Sequence, residues 1–363
     1  MAREVAAAFV VSAALRASSS FVPCSCGGPP RRYHYSPPLH IAHCHAAQPP
    51  SPPPSDHPLP FEQLFLKAPV PGDALVRTIS ANGEVSCSVV SCTGLVSGAA
   101  RLHRTTPLAS TAFGRALACA LLMSSGKKDG DSLQIEFRGS GPLKRITTIS
   151  NALAQVRGYI GNPFVNLPLK NGQFDVPAAI GSGIVAVVKD SVYSKHPYTG
   201  MVQISSGQVA QDLAQYLLES EQTPSALGAG VYLDHRGVVT AAGGYLLQLL
   251  PGASSETARI LENNVRAAPT PTEMVRAGMT PEQIVALLMN DLAPMKLATC
   301  SPRYSCRCGV DRVKRTVALI PETEVRQLLA DYGRIEATCE FCGQIYSLPP
   351  DEVEKILAAQ QKP

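Results

Sequence analysis

Two close pairs of cysteine near the end of this chain constrain its fold more than any other feature. Cys306-Arg-Cys308 is followed, after 30 intervening residues, by Cys339-Glu-Phe-Cys342. Four thiols in two such pairs are a tetrahedral zinc signature. Thiolates select a soft or borderline ion over hard cations. Gly343, directly after the second pair, allows the backbone to bend around a metal in a knuckle. The first pair, with one residue between its cysteines, is tighter than an ordinary zinc ribbon. Four cysteine ligands leave no open position, so one structural zinc per chain is expected rather than a catalytic one.

The energetics of that tail point the same way. A core of ~60 residues supplies only roughly 3–5 kcal/mol, whereas structural zinc supplies about 10–16 kcal/mol in small domains. Oxidation would join nearest partners in sequence, Cys306–Cys308 and Cys339–Cys342. Each bridge closes a very short loop, worth ~2 kcal/mol on the chain-entropy view, and neither ties the two halves together. Oxidation should therefore release zinc and melt the tail. On spacing alone, a redox switch and a passive zinc staple both fit.

The chain holds eleven cysteines. Clustering of this kind suits metal or redox use in a reducing compartment better than a secreted disulfide framework. Cys87, Cys92 and Cys119 are scattered and read as small buried hydrophobes. Cys300 is close enough to Cys306 to compete for mixed disulfides.

Composition divides the 363 residues unevenly. Residues 1–58 carry four Arg but only Glu4 and Asp56 as acids, five of the eight His, and the Pro-rich run that begins at Gln48. Such text cannot bury enough apolar area to offset chain entropy. Its Ala/Ser/Arg-rich start, Val5 to Arg16 and then Ala17-Ser-Ser-Ser20, reads as an organelle transit peptide, plastid before mitochondrion. A secretory signal and a disordered cytoplasmic tail are the competing readings. The remainder holds 28 basic and 26 acidic residues, so bulk charge implies no nucleic-acid partner. No uninterrupted run of about 18 apolar residues implies a membrane partner.

The body reads as α+β. Leu75–Ser80 and Val85–Val90 are strand-forming runs that meet across Asn82-Gly83, a strong hairpin signal. Thr106-Pro107 opens a helix that is apolar nearly all round and therefore central. Leu133–Phe137, Ile184–Val188 and Met201–Ile204 read as strands, and Val209–Glu219 as an amphipathic helix. Val231–Leu233 and Val238–Leu249 flank a second hairpin at Asp234–Gly237. Hairpins mixed with helices favour α+β over a doubly wound sheet. Ser255–Ala267 and a helix over Ile284–Leu292, opened by the capping box Thr280-Pro-Glu-Gln283, read as weak helices docked on something larger. Asp311–Leu319 and Glu322–Ala330 are expected helices between the cysteine pairs. Gly139-Ser-Gly141, Gly181-Ser-Gly183 and Gly228-Ala-Gly230 read as turns, since none continues into a phosphate loop. His103 reads as structural. No nucleophile–base pair is evident, so no enzyme is expected.

The sequence resembles the 33 kDa chaperonin family, redox-regulated heat-shock holdases, and most of all an organelle-targeted plant or algal member. The likeness covers about residues 68–363. It rests on Ala99-Ala-Arg-Leu-His-Arg-Thr-Thr-Pro107, Phe113-Gly-Arg-Ala-Leu-Ala118, Gly139-Ser-Gly-Pro-Leu143, Val156-Arg-Gly-Tyr159, Tyr216–Gln222 and Ala242–Gly252, together with the cysteine spacing. Beyond the transit and Pro-rich segment 1–58 marked by composition, the resemblance implies three parts: an α+β core 59–252, a metastable helical linker 253–304, and a zinc-binding switch domain 305–363. It implies that Cys306, Cys308, Cys339 and Cys342 are both zinc ligands and redox sensors. Reduced protein would be inactive. Oxidation with partial unfolding would expose surfaces that hold unfolding clients without ATP, and dimerisation would accompany activation.

Two other functions compete. Arg303, Arg307, Arg312, Lys314 and Arg315 surround the first pair as in a zinc-ribbon nucleic-acid binder, but acidic residues are as numerous in the tail and no aromatic platform interleaves them. A thiol–disulfide oxidoreductase would use Cys339 and Cys342, yet the strand-to-helix setting of that chemistry is missing.

Overall fold

A computed structural model describes residues 72–360, so the expected import segment lies outside the described residues. The chain folds as the expected α+β, with two largely antiparallel sheets enclosing a central helix. Thirteen strands are present among the described residues. In the body these are β1 (Ala74–Ser80), β2 (Val85–Ser91), β3 (Ser132–Gly139), β4 (Arg145–Asn151), β5 (Gln155–Ile160), β6 (Gly183–Asp190), β7 (Tyr198–Gln203), β8 (Ser225–Leu233) and β9 (Val239–Leu249). Two more follow in the linker, β10 (Pro294–Cys300) and β11 (Arg303–Tyr304), and two in the tail, β12 (Ile335–Thr338) and β13 (Ile345–Leu348). The first sheet runs β10-β1-β2-β9-β8, the second β11-β5-β4-β3-β6-β7, and β12 and β13 form a small hairpin.

The helices of the body are α1 (Thr93–Leu102), α2 (Pro107–Ser124), α3 (Val176–Ile180) and α4 (Val209–Glu219). Helix α2 begins with Pro where no intrahelical N–H is needed. Phe113, Ala116, Leu117, Ala120 and Leu121 are all at most 1% exposed. It is long and apolar enough to cross a bilayer, yet 83% of it is buried between the sheets. It belongs to the main cluster together with Leu133, Ile135 and Phe137 of β3 and Leu227 and Leu246 of β8 and β9.

The linker contains α5 (Ser255–Ala267), α6 (Pro271–Arg276) and α7 (Pro281–Leu288). Capping boxes open α6 at Thr270 and Glu273 and α7 at Thr280 and Gln283. Helix α7 is shorter than the Ile284–Leu292 expectation, because Met289 leaves helical geometry and Asp291 and Ala293 take positive φ. These helices lie on the outer face of the first sheet. Leu261, Met274, Ile284 and Leu288 there bury against Val76, Val85, Tyr245 and Leu247. After the helices the linker changes character: β10 joins the β1 edge of the first sheet, and β11 joins β5 of the second, in parallel.

One glycine motif needs correction. Gly228 and Gly230 are not turn residues; they lie within β8. A Cβ on Gly230 would sit 2.4 Å from the Thr272 nitrogen, and one on Gly228 would meet Pro271 at 2.6 Å. Glycine here gives α6 the room to lie against the sheet. By contrast, Ser140-Gly141 and Gly181-Ser182 form adjoining turns, with Ser140 N–H donating to Ser182 O and Gly141 N–H to Ile180 O, while Gly139 ends β3 and Gly183 opens β6.

The tail consists of α8 (Val310–Val317), α9 (Glu322–Tyr332), the β12–β13 hairpin and α10 (Pro350–Gln360). Helix α9 stops at Gly333 in the left-handed region, as its sequence predicts. The tail's own apolar cluster is small: Val317, Val325, Ile335, Leu348, Val353 and Leu357.

Candidate metal centre

Each cysteine pair is carried by a different piece of the tail. Cys306 and Cys308 occupy the extended segment between β11 and α8, and Gly309 caps the helix that follows. Cys339 and Cys342 occupy the turn between β12 and β13. Cys339 N–H donates to Gln344 O at 2.9 Å, while Gly343 N–H donates back to Cys339 O at 2.7 Å. Gly343 has φ 68°, the left-handed conformation such a knuckle requires.

The fold brings all four sulfurs within 4.8 Å of one another. Cys306 Sγ lies 3.6 Å from Cys339 Sγ, and Cys308 Sγ 3.3 Å from Cys342 Sγ. None is oxidised to a disulfide. A tetrahedral ion with metal–sulfur bonds of about 2.3 Å sets its sulfurs about 3.8 Å apart, so this donor set fits zinc in both chemistry and size. Both of these contacts run across the two pairs, so one ion would bind both halves of the tail together. Hydrogen bonds from Cys306 and Cys342 hold the Cys339 thiol well below its usual value; the contact with Cys339 pushes Cys306 up to about 11, and contacts with Cys306 and Cys339 push the Cys342 thiol up. The Tyr346 hydroxyl donates to Cys308 Sγ at 3.0 Å.

The remaining cysteines stand apart. Cys87, Cys92 and Cys119 are fully buried, and burial pushes the Cys87 and Cys119 thiols up to about 12. They act as small core hydrophobes, as their scattered positions suggested. Cys300 ends β10 opposite Leu75.

A set of residues that the sequence did not single out fastens this centre to the body. Phe341, inside the knuckle, meets Tyr159 edge-on at 5.2 Å, and Arg157 lies over its ring at 5.3 Å. Both partners belong to β5, within the stretch Val156–Tyr159. Tyr304, two residues before Cys306, is fully buried. Its hydroxyl reaches the carbonyls of Gly158, at 2.7 Å, and Phe341. It also accepts from Gly158 N–H at 3.2 Å and lies 3.1 Å from His103 Nε2. Burial pulls the His103 imidazole down to about 4, so it is neutral near pH 7. His103 is thus structural, as expected, and what it supports is the seam between body and tail. The available signal was a tyrosine beside a cysteine pair in a polar run, with a histidine far upstream; nothing local links the two.

Comparison with known proteins agrees with this architecture. Residues 73–349 match the family model described as Hsp33 protein. The 33 kDa chaperonin of Geobacter sulfurreducens is 38% identical over 284 residues, covering 78% of this chain and 94% of that protein. The 33 kDa chaperonin of Bacillus licheniformis is 36% identical over 286 residues, covering 78% of this chain and 98% of its own length. Among solved structures, the 33 kDa chaperonin (heat shock protein 33 homolog) of Thermotoga maritima superimposes with a TM-score of 0.74 at 29% identity. That match spans 79% of this chain and 98% of the other.

Proposed function

This chain belongs to the Hsp33 family, and from that membership we propose that it is a redox-regulated, ATP-independent holdase chaperone. The relatives are named chaperonins, which supports a chaperone that binds unfolded proteins rather than an enzyme. The observation that carries the regulated reading is the seam at Tyr304. The four-thiol cluster, the knuckle residue Phe341, the linker strand β11 and the body strand β5 meet there in one hydrogen-bonded unit.

Cys306, Cys308, Cys339 and Cys342 would hold zinc, which when bound keeps the thiols deprotonated and ties both halves of the tail together. Two thiols facing a peroxide give up two electrons and two protons, forming one sulfur–sulfur bond while the peroxide becomes two waters. We assign the bridges to Cys306–Cys308 and Cys339–Cys342. Neither crosses between the tail's halves, so a small apolar cluster is left to keep the knuckle folded. Once the knuckle loosens, Tyr304 loses Phe341, and the linker loses its anchor. Helices α5, α6 and α7 have 13, 6 and 8 residues and would be marginal without docking. Their departure would uncover the apolar face of the first sheet for unfolded clients, with homodimerisation on activation. The N-terminal segment supports plastid import, with a mitochondrial or cytoplasmic location as the other outcomes.

The test measures zinc content and suppression of client aggregation on one sample, before and after peroxide at mildly raised temperature. Release of one zinc per chain together with a gain of holdase activity is expected. Full activity in the reduced, zinc-loaded protein would show a staple rather than a switch.

A further inference from the structure

The linker ends on two strands that belong to different sheets. β10 pairs with β1 from Leu75 opposite Cys300 to Ser80 opposite Pro294, with a register shift between Arg77 and Thr78. Only Ser301 and Pro302 separate it from β11, whose Tyr304 reaches the knuckle. Anything that frees the knuckle therefore pulls first on β11 and next on β10.

β10 is held unlike the other strands of the body. Every residue from Pro294 to Thr299 is exposed. Its side chains bury little, so main-chain pairing with β1 is its chief attachment, assisted at one end by Ala81 N–H donating to the Leu292 and Ala293 carbonyls. An exposed Lys296–Glu282 ion pair adds little. β1 is anchored far better, with Leu75 and Val76 buried in separate apolar clusters. Beside the β1 edge, Arg77, Ile79, Ser86, Leu250 and the β10 residue Leu297 line a cleft of about 250 Å³.

We infer that release of the linker turns the β1 edge into a docking strand, on which an extended segment of an unfolded client replaces β10 and places an apolar side chain in the Arg77–Ile79 cleft. The inference rests on the redox-release reading above and names the surface and the form of client which that reading leaves open. A strand edge bared of its neighbour presents a row of unpaired N–H and C=O groups, a template for another strand. Main-chain pairing is indifferent to side-chain identity, which suits a partner defined only by being unfolded. The present occupant displays that tolerance, since Pro-Met-Lys-Leu-Ala-Thr-Cys is held almost without side-chain burial. The edge is also gated. Resting protein covers it with β10, whereas β7, the far edge of the second sheet, has no linker strand on it.

Hydrogen exchange of the full chain, read by mass spectrometry, tests this. The samples are reduced zinc-loaded protein, protein treated with peroxide and mild heat, and treated protein with reduced, carboxymethylated α-lactalbumin as a soluble unfolded chain. Zinc release and aggregation suppression are followed in parallel. Peptides covering β1 should be protected at rest, exposed after treatment, and slowed again by about tenfold once the unfolded chain occupies about nine-tenths of the sites. Peptides covering β7 should not respond. Persistent β1 protection after treatment overturns the inference. So does aggregation suppression without renewed β1 protection, which leaves the redox reading intact and places the client elsewhere. Protection that returns without client and grows with protein concentration assigns the edge to a second copy and also overturns it. Treatment that neither releases zinc nor suppresses aggregation removes the redox reading and this inference together.

Discussion

The Tyr304 hydroxyl hydrogen-bonds the carbonyl of Phe341, the residue that lies between Cys339 and Cys342 in the metal knuckle. The same hydroxyl contacts Gly158 on β5 and His103 at the end of α1. A single buried oxygen thus joins the tail, the last strand of the linker and the body.

Replacing Tyr304 with Phe should keep the ring packing and all four thiols but remove the joint. Buried groups left without a partner cost about 1–3 kcal/mol. Zinc content should stay at one per chain, while protease cleavage within residues 253–304 begins at lower temperature and lower peroxide. An unchanged cleavage profile would assign the coupling to the Phe341 ring contacts alone.

Gly230→Ala tests linker docking from the opposite side. Its new Cβ would lie 2.4 Å from the Thr272 nitrogen, so α6 must move away from β8. The backbone of Thr272 cannot yield as a flexible side chain would, so a loss of about 1–3 kcal/mol is expected. Cleavage near Pro271–Arg276 should become easier in reduced protein, with zinc still bound. Wild-type resistance at that site would mean that α6 is not part of the restraint.

How much of this was legible beforehand depended on burial. The Asn82-Gly83 hairpin, the all-round apolar α2, the amphipathic α4 and α5, and the stop at Gly333 each carry a local signal that tertiary packing reinforces. β10 carries none: a strand exposed from Pro294 to Thr299 has no alternation to read, and only the β1 edge makes it a strand. β11 is two residues long, so its pairing with β5 is wholly tertiary. Thr270-Pro-Thr-Glu273 did hold a capping-box signal for α6, in a helix too short for periodicity to mark. The four candidate metal ligands were legible because their chemistry is spelled in spacing. Tyr304, Phe341 and His103 were not, since three ordinary residues acquire a role only when β5 brings them together.

Cys339→Ser should abolish tight zinc binding, because a hydroxyl is a poor soft ligand. Cys87→Ser and Cys119→Ser should leave zinc content untouched, since both thiols are buried in apolar packing away from the tail. Metal analysis after dialysis against a weak chelator distinguishes them. Stoichiometric zinc in the Cys339 variant would remove the four-cysteine assignment.

Asp73 supplies a pH test that is independent of the metal. Its carboxylate accepts from Gly94 N–H at 3.0 Å and Leu95 N–H at 2.7 Å, capping α1. Burial outweighs those bonds and lifts the carboxyl to about 6, above the ~3.9 of an unfolded aspartate. The folded state therefore binds this proton more tightly. Its contribution to stability is fully present below about pH 4 and is lost as pH rises to about 6. Asp73→Asn should remove that slope, so the variant's stability relative to wild type should rise between pH 4 and 6. Urea denaturation across this range measures it; parallel curves for the two proteins would refute the shift.

A chain ending at Ala298 joins the seam to the activity. It lacks the four thiols, β11 with Tyr304, and the last two residues of β10. The tail no longer restrains the linker, and Arg77 becomes the last β1 residue with a partner on β10. The body keeps α2 and both sheets' buried faces, so it should fold, as far-UV CD would confirm. If the tail acts as a cover, this truncated protein should suppress aggregation of a heat-denatured client without peroxide, or with much less of it. Its β1 edge and the sheet face beneath the loosened helices are then accessible from the start. The opposite arrangement places the client on the tail itself, and truncation would then eliminate activity. Light scattering with reduced full-length and reduced truncated protein separates the two. A truncated protein that is folded yet inert in every redox state would show that the tail supplies the binding surface rather than hiding one.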